Sequence, residues 1–91
     1  DAQFETRRLG SFTVKGKTEK VRLREVLSSL PADERALKLQ TREVFEAGVD
    51  ALMDAKVPEA VLAFDEVIRA NPRDLAAQAL QRLNLQGALT G

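Results

Sequence analysis

The spacing of apolar residues changes once along this chain, and that change divides it. From Phe4 to Leu27 the pattern is that of two strands. Val21-Arg22-Leu23-Arg24 alternates apolar and polar side chains with period two, as a half-buried strand does. Leu9-Gly10-Ser11-Phe12-Thr13-Val14 is less regular, and Gly10 marks a candidate bulge. Lys15-Gly16-Lys17-Thr18-Glu19-Lys20 between them reads as a hairpin loop, with Gly16 free to take positive φ. Two strands alone are marginal in water, so the hairpin is expected to be the remnant of a larger sheet.

From Pro31 onward the period becomes helical. Leu37, Val44, Phe45, Gly48, Val49, Leu52 and Met53 fall on one stripe at three- and four-residue spacing, which predicts a long helix from Pro31 to about Ala55. Lys56-Val57 is the turn. Pro58 opens a second helix through Ala70, with Ala60, Val61, Phe64, Val67 and Ile68 inward. Asn71-Pro72 breaks it, because proline disfavours a helical residue before it. A third helix is expected from roughly Arg73 to Gln86, with Leu75, Ala76, Ala79, Leu80 and Leu83 on one face and Gly87 as its stop. The expected fold class is α+β, a hairpin followed by three α-helices. Residues 1–30 form the hairpin segment and residues 31–91 the helical one.

Composition narrows the chemistry. In 91 residues there is no histidine, cysteine, tryptophan or tyrosine. That removes imidazole bases, thiolate nucleophiles, disulfides and the usual zinc sites, so the chain is not expected to be an enzyme by itself. No apolar run is long enough for a membrane span. The net charge of zero is uneven, with +3 in residues 1–27 and −3 in residues 28–91. The chain starts at Asp1 without an initiator methionine, which reads as a processed or excised piece. Nucleic-acid binding is disfavoured. The basic hairpin side chains Arg7, Arg8, Lys15, Lys17, Lys20, Arg22 and Arg24 lack an exposed aromatic platform.

Gly48, Ala60, Phe64 and Pro72 follow one another at intervals of 12, 4 and 8. That spacing resembles the tetratricopeptide repeat, a helix-turn-helix unit, here from about Thr41 to Asp74. Small residues at 48 and 60 would let two antiparallel helices approach, Phe64 would fill the space between them, and Pro72 would end the pair. The chain departs from the family at Val44 and Ala51, where the first helix usually carries a large aromatic. A single repeat offers little of the groove that binds peptides, so core packing is the simpler reading of these apolar residues.

Arg8-Leu9-Gly10-Ser11-Phe12-Thr13-Val14-Lys15-Gly16-Lys17, followed by Val21-Arg22-Leu23-Arg24-Glu25-Val26-Leu27, resembles the C-terminal end of a class III adenylate/guanylate cyclase catalytic domain. The resemblance covers about residues 4–27, and bacterial cyclases of this kind often continue into tetratricopeptide-like helices. It implies that Lys17, and next Lys15, helps hold a nucleotide triphosphate in the parent enzyme, with Gly16 permitting close backbone approach. The alternative is that these lysines are solvated charges at a hairpin tip. The aspartates that bind Mg2+ or Mn2+ in the family, its base-recognising residues and its asparagine-arginine pair cannot be assigned here. Neither Asp33 nor Asp50 has the context. No cofactor or metal is therefore expected for this piece.

The expected function is that of a C-terminal accessory piece of a nucleotide cyclase in bacterial signal transduction, in the cytoplasm and with no membrane contact of its own. Its expected partners are the rest of the parent catalytic domain, a second copy of itself, and a protein bound through the helices. The competing expectation is a free-standing tetratricopeptide-like interaction module.

Overall fold

The computed structural model describes residues 5–13 and 20–90. Strands β1 (Thr6–Thr13) and β2 (Lys20–Val26) pair antiparallel and are followed by α1 (Ala32–Gln40), α2 (Arg42–Met53), α3 (Val57–Ala70) and α4 (Leu75–Thr90). The architecture is α+β, a hairpin plus helices, with four helices where three are expected. The hairpin register slips between Arg8 and Gly10: Arg8 faces Arg24, Gly10 faces Leu23, and Leu9 is the additional residue. Gly10 has φ 124°, a conformation open to glycine and strained for other residues. The bulge lets Leu9 pack against the helical core.

The predicted long helix is two helices meeting at Thr41. Its backbone (φ −96°, ψ 3°) ends α1, and its hydroxyl donates to the Leu37 carbonyl at 2.9 Å. Side-chain bonding to the preceding turn bends helices. No residue of α1 is buried, so Leu37 does not belong to the core stripe. That short helix is held by polar contacts instead: Lys38 pairs with Glu25, and Arg35 donates to the Ser28 carbonyl at 3.2 Å.

The core lies between α2, α3 and α4. Phe45, Val49, Ala60, Phe64, Val67 and Ala77 are buried there. Phe45 and Phe64 meet edge to face, with ring centroids 5.8 Å apart. A Cβ placed on Gly48 would sit 2.9 Å from Phe64 Cε1, closer than two carbons approach unless the ring shifts, and 3.1 Å from Ala63 Cβ, a tight contact. Glycine is required there because the helices cross at that point. Between α2 and α3, Ala55 adopts φ 58°. Lys56 N–H donates to Ala51 O at 2.8 Å and Ala55 N–H to Leu52 O at 3.2 Å, the bonding pair of a Schellman C-cap.

Two readings of the last helix change. The apolar stripe of α4 faces the core only in part: Ala77, Leu80 and Asn84 are buried, whereas Leu75, Ala79 and Leu83 are exposed. The helix also continues past Gly87 to Thr90.

β1 lies along α2, and its outer edge is not left open. Arg42 Nη1 donates to Thr6 O at 3.3 Å, Arg8 N–H donates to Glu46 Oε2 at 2.9 Å, and Ser11 N–H approaches Met53 Sδ at 3.4 Å. Positions 42, 46 and 53 share one face of α2. Four helical residues advance about 6 Å and two strand residues about 6.7 Å, so the two ladders stay in step. The edge expected to need a further strand is thus occupied by helix side chains along β1. Among the described residues, no helix is long and apolar enough to cross a membrane.

Three substitutions test the crossing and the cap. Gly48→Ala should destabilise the chain by about 1–3 kcal/mol through overpacking, despite alanine's better helix propensity. Phe64→Ala should cost about 3–5 kcal/mol. Ala55→Gly should stabilise by about 1 kcal/mol, because glycine accepts the left-handed backbone without a Cβ clash. Urea unfolding of the three variants checks all three signs.

Candidate functional site

The strongest polar cluster is buried and spans the molecule. Arg7, on β1, has its side chain 0% exposed, as does Asp74 at the start of α4. Arg7 Nη1 donates to Asp74 Oδ2 at 2.5 Å and Nη2 to Asp74 Oδ1 at 3.1 Å, a two-pronged pairing. Its Nε donates to Glu25 Oε1 at 3.1 Å, and its Nη2 also pairs with that oxygen. Glu25 faces Arg7 across the hairpin and accepts from Lys38 of α1 through its other oxygen. The guanidinium carbon lies 3.7 Å from the centroid of the Phe45 ring. Asp74 also accepts the Ala77 N–H at 3.2 Å, so the same carboxylate caps α4 at its positive end.

Each charge is held by the others. Burial alone would lower the Arg7 pKa, but the hydrogen bonds and charges of Asp74 and Glu25 raise it. Burial alone would raise the Asp74 carboxyl. Arg7, the Ala77 amide and the charge of Lys38 hold it below the ordinary value. Both cationic side chains of the cluster meet a carboxylate at hydrogen-bond distance. The cluster is a clamp joining the hairpin to α1, α2 and α4.

Arg8 plays a second clamping role on the neighbouring face. It pairs with Asp50 at 2.8 Å and with Glu46 at 3.4 Å. The Asp50 carboxyl is held down by its hydrogen bond with Arg8. Two of the hairpin's basic residues are therefore committed to partners within the chain. Arg8, Arg22 and Arg24 line a shallow cleft of about 290 Å³ with Asp50 and Met53 at its side.

The phosphate-binding candidates Lys15 and Lys17, with Gly16 between them, lie outside the described residues, which resume at Lys20 opposite Thr13. The four repeat positions fall within one unit. Gly48, Ala60 and Phe64 are buried at the α2–α3 crossing. Pro72 is exposed in the turn before α4, where Asn71 accepts from Arg73 N–H at 3.3 Å through its side chain and from Asp74 N–H at 3.1 Å through its carbonyl. The four thus serve packing and termination. Among the described residues, no group of three or more Asp, Glu, His or Cys side chains could hold a metal ion.

Sequence reasoning missed a surface feature on the other side of α3. Val44 and Ala47 of α2 with Leu62 and Ala63 of α3 form the floor of an open groove, and Glu43, Glu59 and Glu66 line it. Among the described residues none of these three glutamates makes an ion pair. Leu62 is 71% exposed. The signal was present in Glu59 and Glu66, seven residues apart with Leu62 between them, since that spacing places all three on one helix face.

The clamp predicts a pH dependence. A carboxyl whose pKa is lower in the folded chain stabilises the fold above its unfolded value, near 3.9, and that contribution is lost as pH falls through the folded value. The urea midpoint should therefore hold from pH 7 to about pH 5 and drop below that. Asp74→Asn should flatten the drop, and Asp74→Ala should cost about 3–5 kcal/mol at pH 7 by leaving Arg7 buried beside an incomplete set of partners. Comparison with protein-family models, with curated proteins and with solved structures finds no match for this chain, so its functional reading rests on the residues and geometry above.

Proposed function

We propose that this chain is the C-terminal accessory piece of a class III adenylate/guanylate cyclase, inactive alone, whose helices set how the last hairpin of the catalytic domain is held. The observation that carries this reading is the joining of the cyclase-like hairpin to the helices. Arg7 pairs with Asp74 at the entry to α4, Glu25 of β2 pairs with Lys38 of α1, and the β1 edge bonds Glu46 of α2, so side chains tie the hairpin to three of the four helices. A loop that contacts a triphosphate gains from such fixing, because charge stabilisation in a transition state depends on groups already in place. In the parent, Lys17 and then Lys15 would balance the triphosphate charge as pyrophosphate departs, while the metal carboxylates and the asparagine-arginine pair come from other parts of the enzyme.

The second reading, a protein-interaction module, is favoured by the acid-lined apolar groove on α2 and α3. The two readings are compatible if the groove engages protein while the hairpin serves catalysis.

The test has two parts. The purified 91-residue chain, given ATP or GTP with Mg2+ or Mn2+, should yield no cyclic nucleotide above a buffer blank. In the full-length parent, Lys17→Ala should lower kcat/KM by roughly one to two decades, the worth of one charge-assisted contact of about 1.5–3 kcal/mol. Lys20→Ala should change it far less. Equal, small effects at both positions would leave these lysines as solvated charges and overturn the phosphate role. A parent without cyclase activity would overturn the whole reading.

A further inference from the structure

The apolar stripe of α4 is wider than the surface that α3 covers. Ala77, Leu80 and Asn84 turn inward, and Gln81 reaches Val61 O and Asp65 of α3. Leu75, Ala79 and Leu83 recur at four-residue spacing on the adjoining face. Leu75 is 73% exposed and Leu83 43% exposed. A helix in a globular fold buries its apolar stripe, and here half of it lies uncovered. Arg73, in the turn before α4, lines a pocket with Leu75, Ala76, Lys38, Glu25 and Glu34, and Arg82 directly precedes Leu83; neither arginine makes an ion pair among the described residues.

A second uncovered apolar surface among the described residues is the α2–α3 groove. It uses Glu59, Leu62 and Glu66 of α3, whereas α4 packs on Val57, Val61 and Asp65. The two α3 faces are rotated well over 100° apart at about 100° per residue. The chain thus carries a leucine stripe with arginines on one side and an apolar groove with glutamates on another. They are opposite in charge and alike in chemistry.

We propose that α4 of one copy seats Leu75, Ala79 and Leu83 in the α2–α3 groove of a second copy, with Arg73 and Arg82 facing Glu43, Glu59 and Glu66. The contact is head-to-tail: each copy offers a different surface to each neighbour, so association continues beyond a pair unless the geometry closes a ring. Helices then alternate across the contact as they do within the chain. The inference does not depend on nucleotide turnover, and its outcome is independent of the cyclase reading.

Sedimentation equilibrium of the intact 91-residue chain from micromolar to sub-millimolar concentration tests it. The weight-average mass should rise above the 10.0 kDa of one chain, and raising salt should oppose the rise. Leu62→Asp blocks the groove and Leu83→Asp blocks the stripe. Both side chains are exposed, so helical circular dichroism should be unchanged. Each variant alone should remain at the mass of one chain. An equimolar mixture should form a 1:1 pair and stop there, because one groove and one stripe remain intact. A monomer at every concentration overturns the proposal and leaves the groove to a different, basic partner. Association that survives both substitutions also overturns it, in favour of strand addition at β2. A mixture that fails to pair overturns the head-to-tail arrangement.

Discussion

A buried arginine is the constraint around which the rest of this molecule is arranged. Arg7 sits on the hairpin, yet its partners lie on the opposite strand, at the start of the last helix and in the face of a core aromatic. Removing such a charge from water costs several kcal/mol, and its attraction to Asp74 and Glu25 does little more than offset that. Its value lies in discrimination among arrangements. Slipping β1 by one residue would turn position 7 to the other face of the hairpin. Arg7 would then face away from Asp74, leaving a carboxylate buried among apolar side chains. The side-chain bonds between α2 and β1 are exposed or half-buried, and breaking them costs less than unpairing a buried charge. The Arg7–Asp74 pair enforces register more strongly, because its charges are buried.

Asp74 extends the same constraint to the helical end of the chain. Its carboxylate caps α4 through the Ala77 amide while holding Arg7. The Asn71 turn places it there. Helix capping, the direction of α4 and hairpin docking thereby share one side chain, which links pieces that a reading by segments would separate. The division into residues 1–30 and 31–91 marks a change of secondary structure, and the two segments have polar contacts across it.

Residue patterns made much of this fold legible. Alternation at Val21–Arg24 and the irregularity at Gly10 located the hairpin and its bulge, and helical spacing located α2 and α3. The small residue at 48 opposite Phe64 is read from a spacing that resembles the tetratricopeptide repeat, and the contact distances at Gly48 supply its physical reason. The break at Thr41 was hidden because the apolar stripe runs through it, and what interrupts the helix is a hydroxyl bond to Leu37. In α4 the apolar residues misled, because a buried asparagine at position 84 takes a core place by donating to Val57 O at 3.2 Å. Arg7 and Asp74 were hidden for the same reason. Polar residues enter a core through partners distant in sequence, and the spacing along one segment carries no trace of them.

The charge split between the halves of the chain acquires a more specific meaning from these contacts. Part of the hairpin's positive charge is spent internally: Arg7 faces Asp74 and Glu25, and Arg8 faces Glu46 and Asp50. The helices' acidic excess is likewise partly taken up, but Glu43, Glu59 and Glu66 remain around an apolar floor on one side of α3. Like charges gathered on exposed apolar surface repel one another, and they gain little from the intramolecular fold. Their clustering disfavours partners of the same sign and favours one that brings cations with an apolar stripe. Such a surface selects by what it repels as much as by what it attracts. The fold itself supplies one stripe of that kind, on the uncovered half of α4.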